Sequence, residues 1–242
     1  MRVLVLQHAA IEHPGIFRDF FEADGIEWHA VELDEGETIP PLADYDVMWV
    51  MGGPMDTFEE EAHPWLVPEK EAIRDWVGRR AKPFIGFCLG HQLLADALGG
   101  RVGRMVAPEV GILEVDLTPE GFEDPLFAGA AARAEYFQWH SCGVLELPEG
   151  GISLARSPAC ACQALRVGEA AYGIQYHVEL TPTTVTDWGQ IPAYMSALED
   201  AMGEGALQSL DAEAAARMPA FNAEARRLYD GFMAIARETL GA

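Results

Sequence analysis

Short apolar runs separated by amphipathic stretches fill the first hundred residues of the chain. Apolar runs predict strands over residues 3–6, 45–51 and 83–87, and alternating apolar and polar residues predict another over 26–33. Apolar residues at helical spacing predict helices over about residues 16–24, 68–77 and 89–98. Strands that alternate with helices in this way indicate an α/β fold, with an open, mostly parallel sheet and helices on both of its faces.

The rest of the chain has a different pattern. Short strand candidates separated by turns cover residues 111–117, 134–139, 152–155, 160–167 and 171–176, and they predict antiparallel or mixed additions to the sheet. From Thr181 onward the sequence becomes helical, and one apolar stripe runs along its last helix: Phe221, Ala225, Leu228, Phe232 and Ile235. We therefore expect a domain over residues 1–190 and a helical extension over 191–242 packed on it, with a homodimer contact left open.

Composition and charge narrow the classes of partner. The net charge is −23, so phosphates would be repelled, and neither nucleic acid nor an anionic membrane is an expected partner. No run of about eighteen apolar residues is present to span a membrane. The amino terminus lacks a signal-peptide pattern, which predicts a cytoplasmic protein.

The cysteines and histidines give no sign of a metal site or cofactor. Cys88, Cys142, Cys160 and Cys162 have neither C-x-x-C nor zinc-ligand spacing, so free thiols are expected. Neither a metal ion nor an organic cofactor is therefore expected.

The first chemical signal is the segment Gly86-Phe87-Cys88-Leu89-Gly90, where a predicted strand turns directly into a helix. A nucleophile at such a turn needs small residues two positions before and after it, because the turn is crowded. A helix N-terminus favours the thiolate, which is the reactive form of cysteine. A buried structural cysteine would also fit this pentapeptide, so its neighbours in the fold decide between the two interpretations.

Two further segments supply the missing parts. Gly52-Gly53 follows a predicted strand and can aim a backbone N–H at a ligand, which with the Leu89 N–H would make an oxyanion hole. His177 ends the last predicted strand, and Glu179, two residues on, projects from the same face and can orient the imidazole. His8, His13, His29, His63 and His91 have no such acidic partner, and the sequence gives them no role.

The three segments GGPM, GFCLGHQ and QYHVE, in this order and at this separation, resemble the class I, or triad, glutamine amidotransferase family. The family's pattern around its nucleophile, G-x-C-x-G-x-Q, is matched here as far as its last residue, Gln92. Its Q-F-H-P-E motif is matched except that Tyr176 stands in place of Phe and Val178 in place of Pro. The motifs span residues 52–179, the strand pattern before them extends the resemblance to the amino terminus, and the resemblance implies a flavodoxin-like core. It also implies a Cys88 nucleophile, a His177 base and acid, an orienting Glu179 and an oxyanion hole at Gly53 and Leu89.

The resemblance also implies a substrate site. Gln92 would contact a glutamine or γ-glutamyl substrate, and the segment around His140, Ser141 and Cys142 is similar to the family's glutamine-binding stretch. Cys142 departs from the family pattern, where Asp is frequent. An acid that binds the substrate's amino group would be lost there, whereas a backbone contact would survive.

The sequence resembles the free-standing, GMP-synthase-like members of the family, because it contains no phosphate-binding loop of an ATP-dependent synthetase. Three functions are open. The first is an amidotransferase subunit that hydrolyses glutamine through a γ-glutamyl thioester and releases ammonia to a separate synthase. The second is a stand-alone γ-glutamyl peptidase with the same triad, and the third is a non-catalytic binding or regulatory subunit.

Overall fold

The computed structural model describes residues 1–241. Its strands are β1 (Arg2–Gln7), β2 (Glu27–Glu32), β3 (Val47–Val50), β4 (Phe84–Phe87), β5 (Arg101–Leu117), β6 (Arg133–Glu146), β7 (Gly151–Arg156), β8 (Ala164–Val167) and β9 (Ala171–Ile174). Its α-helices are α1 (Phe17–Ala23), α2 (Leu66–Ile73), α3 (Leu89–Ala97), α4 (Pro119–Glu123), α5 (Thr184–Trp188), α6 (Pro192–Met202) and α7 (Ala206–Leu240). A π-helical segment, Arg74–Arg79, continues α2.

The strands form a single open sheet in the order β2-β1-β3-β4-β9-β8-β7-β5-β6. The pairings from β2 through β9 are parallel, and those from β9 through β6 are antiparallel. The predicted α/β class with an open sheet is confirmed, and the antiparallel strands expected in the middle of the chain make the sheet a mixed one. The parallel half brings the carboxyl ends of β3, β4 and β9 to one edge, where sites form in open α/β sheets.

Helices cover both faces of the sheet, as predicted. Alternate side chains of β1 point to opposite faces, with Val3 and Val5 in one core cluster and Leu4 and Leu6 in another. The first cluster includes buried residues of α1 and α7, and the second includes those of α2 and α3. The centre of the parallel half is therefore buried on both sides, which explains why β1, β3 and β4 are nearly continuous apolar runs.

The last helix packs its predicted apolar stripe into the protein. Phe221, Ala225, Leu228 and Phe232 are almost fully buried, and Ile235 is partly buried against the core. Ala242, the final residue of the predicted 191–242 extension, lies outside the described residues. Within residues 1–241, no helix is both long and apolar enough to cross a bilayer.

Several predicted boundaries were wrong, and one of them is the end of β6, which lies at Glu146 rather than at residue 139. β5 begins at Arg101 rather than at residue 111, because its first part is an exposed ribbon paired with β6 and has no buried alternation. α2 begins at Leu66, so Pro68 lies within its first turn, where the missing N–H of proline costs no helical hydrogen bond. β8 covers only Ala164–Val167, because the chain before it forms a turn in which the Ser157 N–H donates to the Cys160 carbonyl.

Candidate active site

Cys88 lies at the turn between β4 and α3, at the carboxyl edge of the parallel strands. Its backbone has φ 49° and ψ −101°, a conformation that residues with a side chain rarely adopt. The Cys88 N–H donates to the Ile174 carbonyl at 2.8 Å, which ties the turn to β9. The side chain is 6% exposed and lines a cavity of about 260 Å³. The predicted strand-to-helix elbow is therefore present, with its thiol open to a small molecule.

Two glycines make this turn sterically possible. A Cβ at Gly86 would lie 2.3 Å from the Gly90 carbonyl oxygen, and a Cβ at Gly90 would lie 2.1 Å from the Val50 oxygen. Both distances are far shorter than a van der Waals contact, and the atoms that each added Cβ would meet belong to the backbone. The pattern G-x-C-x-G is thus dictated by the close approach of β3, β4 and α3.

His177 and Glu179 follow β9 and form a hydrogen-bonded pair. His177 is held by an antiparallel bridge to Phe137, whose carbonyl accepts from the His177 N–H at 2.9 Å. The imidazole Nδ1 lies 2.6 Å from Glu179 Oε1, and the other carboxylate oxygen accepts from the Val178 N–H at 2.9 Å. The Trp188 ring of α5 packs edge-on against the imidazole at 4.6 Å. The imidazole is thus held by a hydrogen bond to Glu179 and by the Trp188 ring.

The surroundings of His177 favour the imidazolium. Burial alone would lower its pKa, but the negative charges of Glu179 and Cys88, together with their hydrogen bonds, raise the pKa well above its ordinary value. The His177 imidazolium beside Cys88 can therefore act as a proton donor in the cavity.

The two predicted oxyanion donors lie on the same cavity. Gly53 and Leu89 line it together with Cys88. Among residues 1–241, neither the Gly53 nor the Leu89 N–H donates to a backbone acceptor, whereas the Cys88 and Gly90 N–H groups both do. The two free donors can therefore be directed at an oxygen in the cavity.

All four predicted substrate-binding residues line this cavity: Gln92, His140, Ser141 and Cys142. The Gln92 Nε2 donates to the Cys142 carbonyl at 3.1 Å and to Gln175 Oε1 at 3.0 Å, so its Oε1 is left for a ligand. The His140 Nδ1 donates to the same carbonyl at 2.8 Å, and its Nε2 lies 3.3 Å from Glu109. The Nδ1 of His140 thus holds the wall of the cavity at the Cys142 carbonyl.

Cys142 makes a contact that the sequence did not reveal. Its Sγ donates to Asp56 Oδ1 at 3.1 Å, and the other Asp56 oxygen accepts from Arg104 Nη2, also at 3.1 Å. Burial and the Asp56 charge raise the pKa of the Cys142 thiol to about 12, so it is neutral at physiological pH. Cys142 is therefore poorly suited to be a second nucleophile, and Asp56 places a carboxylate directly beside it.

Sequence reasoning missed four polar residues of this region: His8, Glu12, Asp56 and Arg104. Asp56 follows the GGPM segment, but nothing in the sequence pairs it with Arg104 of the exposed β5 ribbon. Glu12 is buried behind the Gly-Gly segment, where a Cβ at Gly52 would lie 2.5 Å from its carboxylate oxygen. Glu12 also accepts a hydrogen bond from the Tyr194 hydroxyl of α6. The one sequence feature that could have pointed to Glu12 and His8 is that both lie on the same short segment after β1.

Comparison with known proteins agrees with this geometry. The profile of the family described as glutamine amidotransferase class-I matches residues 17–187. The glutamine amidotransferase-like protein YfeJ of Salmonella typhimurium is 33% identical over 216 residues, covering 87% of this chain and 88% of that protein. A glutamine-hydrolyzing GMP synthase subunit of Sulfurisphaera tokodaii is 32% identical over 156 residues, which are 64% of this chain and 78% of that relative.

A solved structure shows the same fold over nearly the whole chain. A glutamine amidotransferase from Thermotoga maritima superposes with a TM-score of 0.85 at 28% identity, covering 96% of this chain and 97% of that one. The chain belongs to the class I glutamine amidotransferase family. Its relatives place it with the GMP-synthase-like type, as the sequence motifs predicted.

Proposed function

We propose that this protein hydrolyses the γ-amide of glutamine through a Cys88–His177–Glu179 triad. The observation that carries the proposal is the 2.6 Å contact between His177 and Glu179, in an imidazole whose pKa Cys88 also raises. Membership in the class I family supports it, and so does the cavity that opens at Cys88.

The reaction begins from a Cys88 thiolate and a His177 imidazolium. The thiolate attacks the γ-carbonyl carbon, and the N–H groups of Gly53 and Leu89 stabilise the oxyanion. The tetrahedral intermediate collapses as His177 gives its proton to the leaving nitrogen, so that ammonia departs and a γ-glutamyl thioester remains on Cys88. His177 then takes a proton from water, and the hydroxide breaks the thioester to give glutamate. The thiolate and imidazolium are restored.

Charged and polar groups further along the cavity would bind the amino-acid end of the substrate. Gln92 can accept from the substrate through Oε1, and Ser141 lines the same wall. Asp56 and Arg104 form an ion pair that a substrate with an α-ammonium and an α-carboxylate can replace charge for charge. This arrangement favours substrates whose α-amino and α-carboxylate groups are both free. It also supplies the acid that position 142 lacks.

The released ammonia would pass to a separate synthase protein. The support is the similarity to proteins that are named as single subunits of GMP synthase, a name that implies a second subunit beside them. The four cysteines are free thiols, in keeping with a reaction in the reducing cytoplasm.

The decisive comparison is steady-state turnover of glutamine against a panel of γ-glutamyl dipeptides. We expect ammonia release from glutamine, increased by the cognate synthase. Rapid cleavage of dipeptides with negligible glutamine hydrolysis would replace the amidotransferase function with that of a γ-glutamyl peptidase. Inactivity on all substrates with and without candidate synthases would indicate a non-catalytic protein.

A further inference from the structure

His8, the first residue after β1, uses both of its ring nitrogens. It is 1% exposed, and its Nδ1 lies 2.8 Å from the Gly52 carbonyl oxygen. Because a carbonyl only accepts, Nδ1 carries a proton and donates it. The Nε2 lies 2.9 Å from Glu69 Oε1, a fully buried carboxylate of α2, and the ring stacks on Trp65. His8 thus links α2 to the Gly-Gly segment through two hydrogen bonds.

The bond to Gly52 determines where the Gly53 N–H points. The Gly52 carbonyl and the Gly53 N–H belong to the same peptide group, and in a trans peptide the two point in opposite directions. Gly53 lines the cavity beside Cys88, whereas His8 is not among the residues that line it. With its carbonyl held at His8, the peptide directs its N–H away from His8 and toward the cavity.

A Gly–Gly segment needs such a restraint. Neither glycine has a side chain to limit its backbone torsions, so rotation of the peptide group between them costs little free energy. After a flip, the Gly52 carbonyl would face the cavity and repel a developing oxyanion. The surroundings still require glycine, because a Cβ at Gly53 would lie 2.9 Å from both the His8 Cβ and a Leu89 methyl carbon.

We propose that His8, held by Glu69, is a positioning residue that keeps the Gly53 N–H directed at the oxyanion. The inference rests on the proposed function, in which that N–H stabilises the tetrahedral intermediate. The electrostatics agree with this role: burial alone would lower the pKa of His8, but Glu69 and the Gly52 carbonyl raise it, which favours the ring form that donates from both nitrogens.

Two substitutions at the same position separate the two hydrogen bonds. In His8→Asn the amide nitrogen takes the place of Nδ1 and can still donate to Gly52. In His8→Gln it takes the place of Nε2 and can donate only to Glu69. Each variant loses one buried bond, so both should be destabilised, and thermal unfolding measures by how much. We expect kcat for glutamine to fall about 10²-fold or more in His8→Gln, as when an oxyanion donor is removed, and less than about ten-fold in His8→Asn.

Alkylation of Cys88 by iodoacetamide provides the second measurement. The thiolate displaces iodide without forming an oxyanion, so its rate, followed by mass spectrometry of the Cys88 peptide, should stay near the wild-type value in both variants. Equal kcat values in the two variants, or a parallel loss of alkylation and hydrolysis in His8→Gln, would overturn the inference. If the proposed function itself is wrong, the wild-type protein will hydrolyse no γ-glutamyl compound. That result is distinct from the two above, which compare variants with an active wild type.

Discussion

At the scale of single residues, the site depends on a few charges held in fixed geometry. The imidazole of His177 interacts with both Glu179 and Cys88, and its raised pKa follows from both. The carboxylate of Asp56 likewise lies between a thiol and a guanidinium. Each of the two carboxylates can be replaced by an amide of nearly the same shape, which allows charge and packing to be tested apart.

Glu179→Gln should reduce activity less than His177→Ala. Loss of His177 removes the acid and base, so we expect kcat to fall about 10²- to 10⁴-fold. In Glu179→Gln the imidazole remains, but its pKa drops because its main negative neighbour is gone. A raised pKa keeps His177 charged as the pH rises, so the alkaline limb of kcat/KM should move to lower pH in Glu179→Gln. Unchanged limbs in a pH–rate profile would contradict this role.

Asp56→Asn should weaken recognition of a free α-amino group. A charge-assisted hydrogen bond contributes about 1.5–3 kcal/mol, so KM for glutamine should rise roughly ten- to a hundred-fold with little change in kcat. The preference for glutamine over Nα-acetylglutamine should fall in the same proportion. The exposed Asp34→Asn serves as the charge-matched control. A preference that is unaltered in Asp56→Asn would remove Asp56 from the substrate site.

At the scale of secondary-structure elements, the nucleophile is positioned by the packing of β3, β4 and α3. Gly86→Ala would place a methyl group 2.3 Å from the Gly90 oxygen, so the elbow must shift. We expect a loss of about 1–3 kcal/mol in the free energy of unfolding, together with a loss of turnover. Gly78→Ala is the control, because its Cβ would meet only a Leu98 methyl at 4.0 Å. Urea unfolding and glutamine hydrolysis measure both effects.

Equal stability of the two alanine variants would mean that the elbow is not sterically constrained. Loss of stability in Gly78→Ala alone would place the tight packing at the π-helical segment after α2 instead.

The parts of the fold that could be predicted from sequence are those with a local signal. β1, β3 and β4 are continuous apolar runs because both of their faces are buried, and the elbow shows its crowding through Gly86 and Gly90. The β5 ribbon has no such signal, because its side chains are largely exposed.

The same distinction holds for the site. His177 and Glu179 are two residues apart, and their spacing predicts that they share a face. Asp56 and Arg104 are 48 residues apart, and Glu12 and Tyr194 are 182 apart. Such contacts depend on the way distant strands and helices are brought together, which no local pattern in a single sequence records.

At the scale of the whole molecule, a strongly acidic protein contains a fully buried acid close to its candidate site. Burial raises the pKa of Glu12 from 4.5 to about 7, although His177 and Tyr194 partly oppose this. Folding therefore keeps Glu12 protonated at a pH where the unfolded chain would be ionised. The contribution of this protonated acid to the free energy of unfolding is fully present below about pH 4.5 and is lost as the pH rises through 7.

Glu12→Gln should make the stability less dependent on pH. Between pH 4.5 and 8, the wild-type protein should lose roughly 3 kcal/mol of unfolding free energy more than the variant, since the amide does not ionise. The exposed Glu22→Gln should follow the wild type. Urea unfolding at several pH values measures the difference. Parallel curves for Glu12→Gln and wild type would mean that Glu12 is ionised throughout.

The central claim is that Cys88 forms a γ-glutamyl thioester. The most direct measurement is an acid quench of the protein during glutamine turnover, followed by peptide mass spectrometry. We predict an adduct with the mass of a γ-glutamyl group on the Cys88 peptide, present in Cys142→Ala and absent in Cys88→Ala, which should also be inactive. An adduct on Cys142, or turnover that persists in Cys88→Ala, would contradict the assignment.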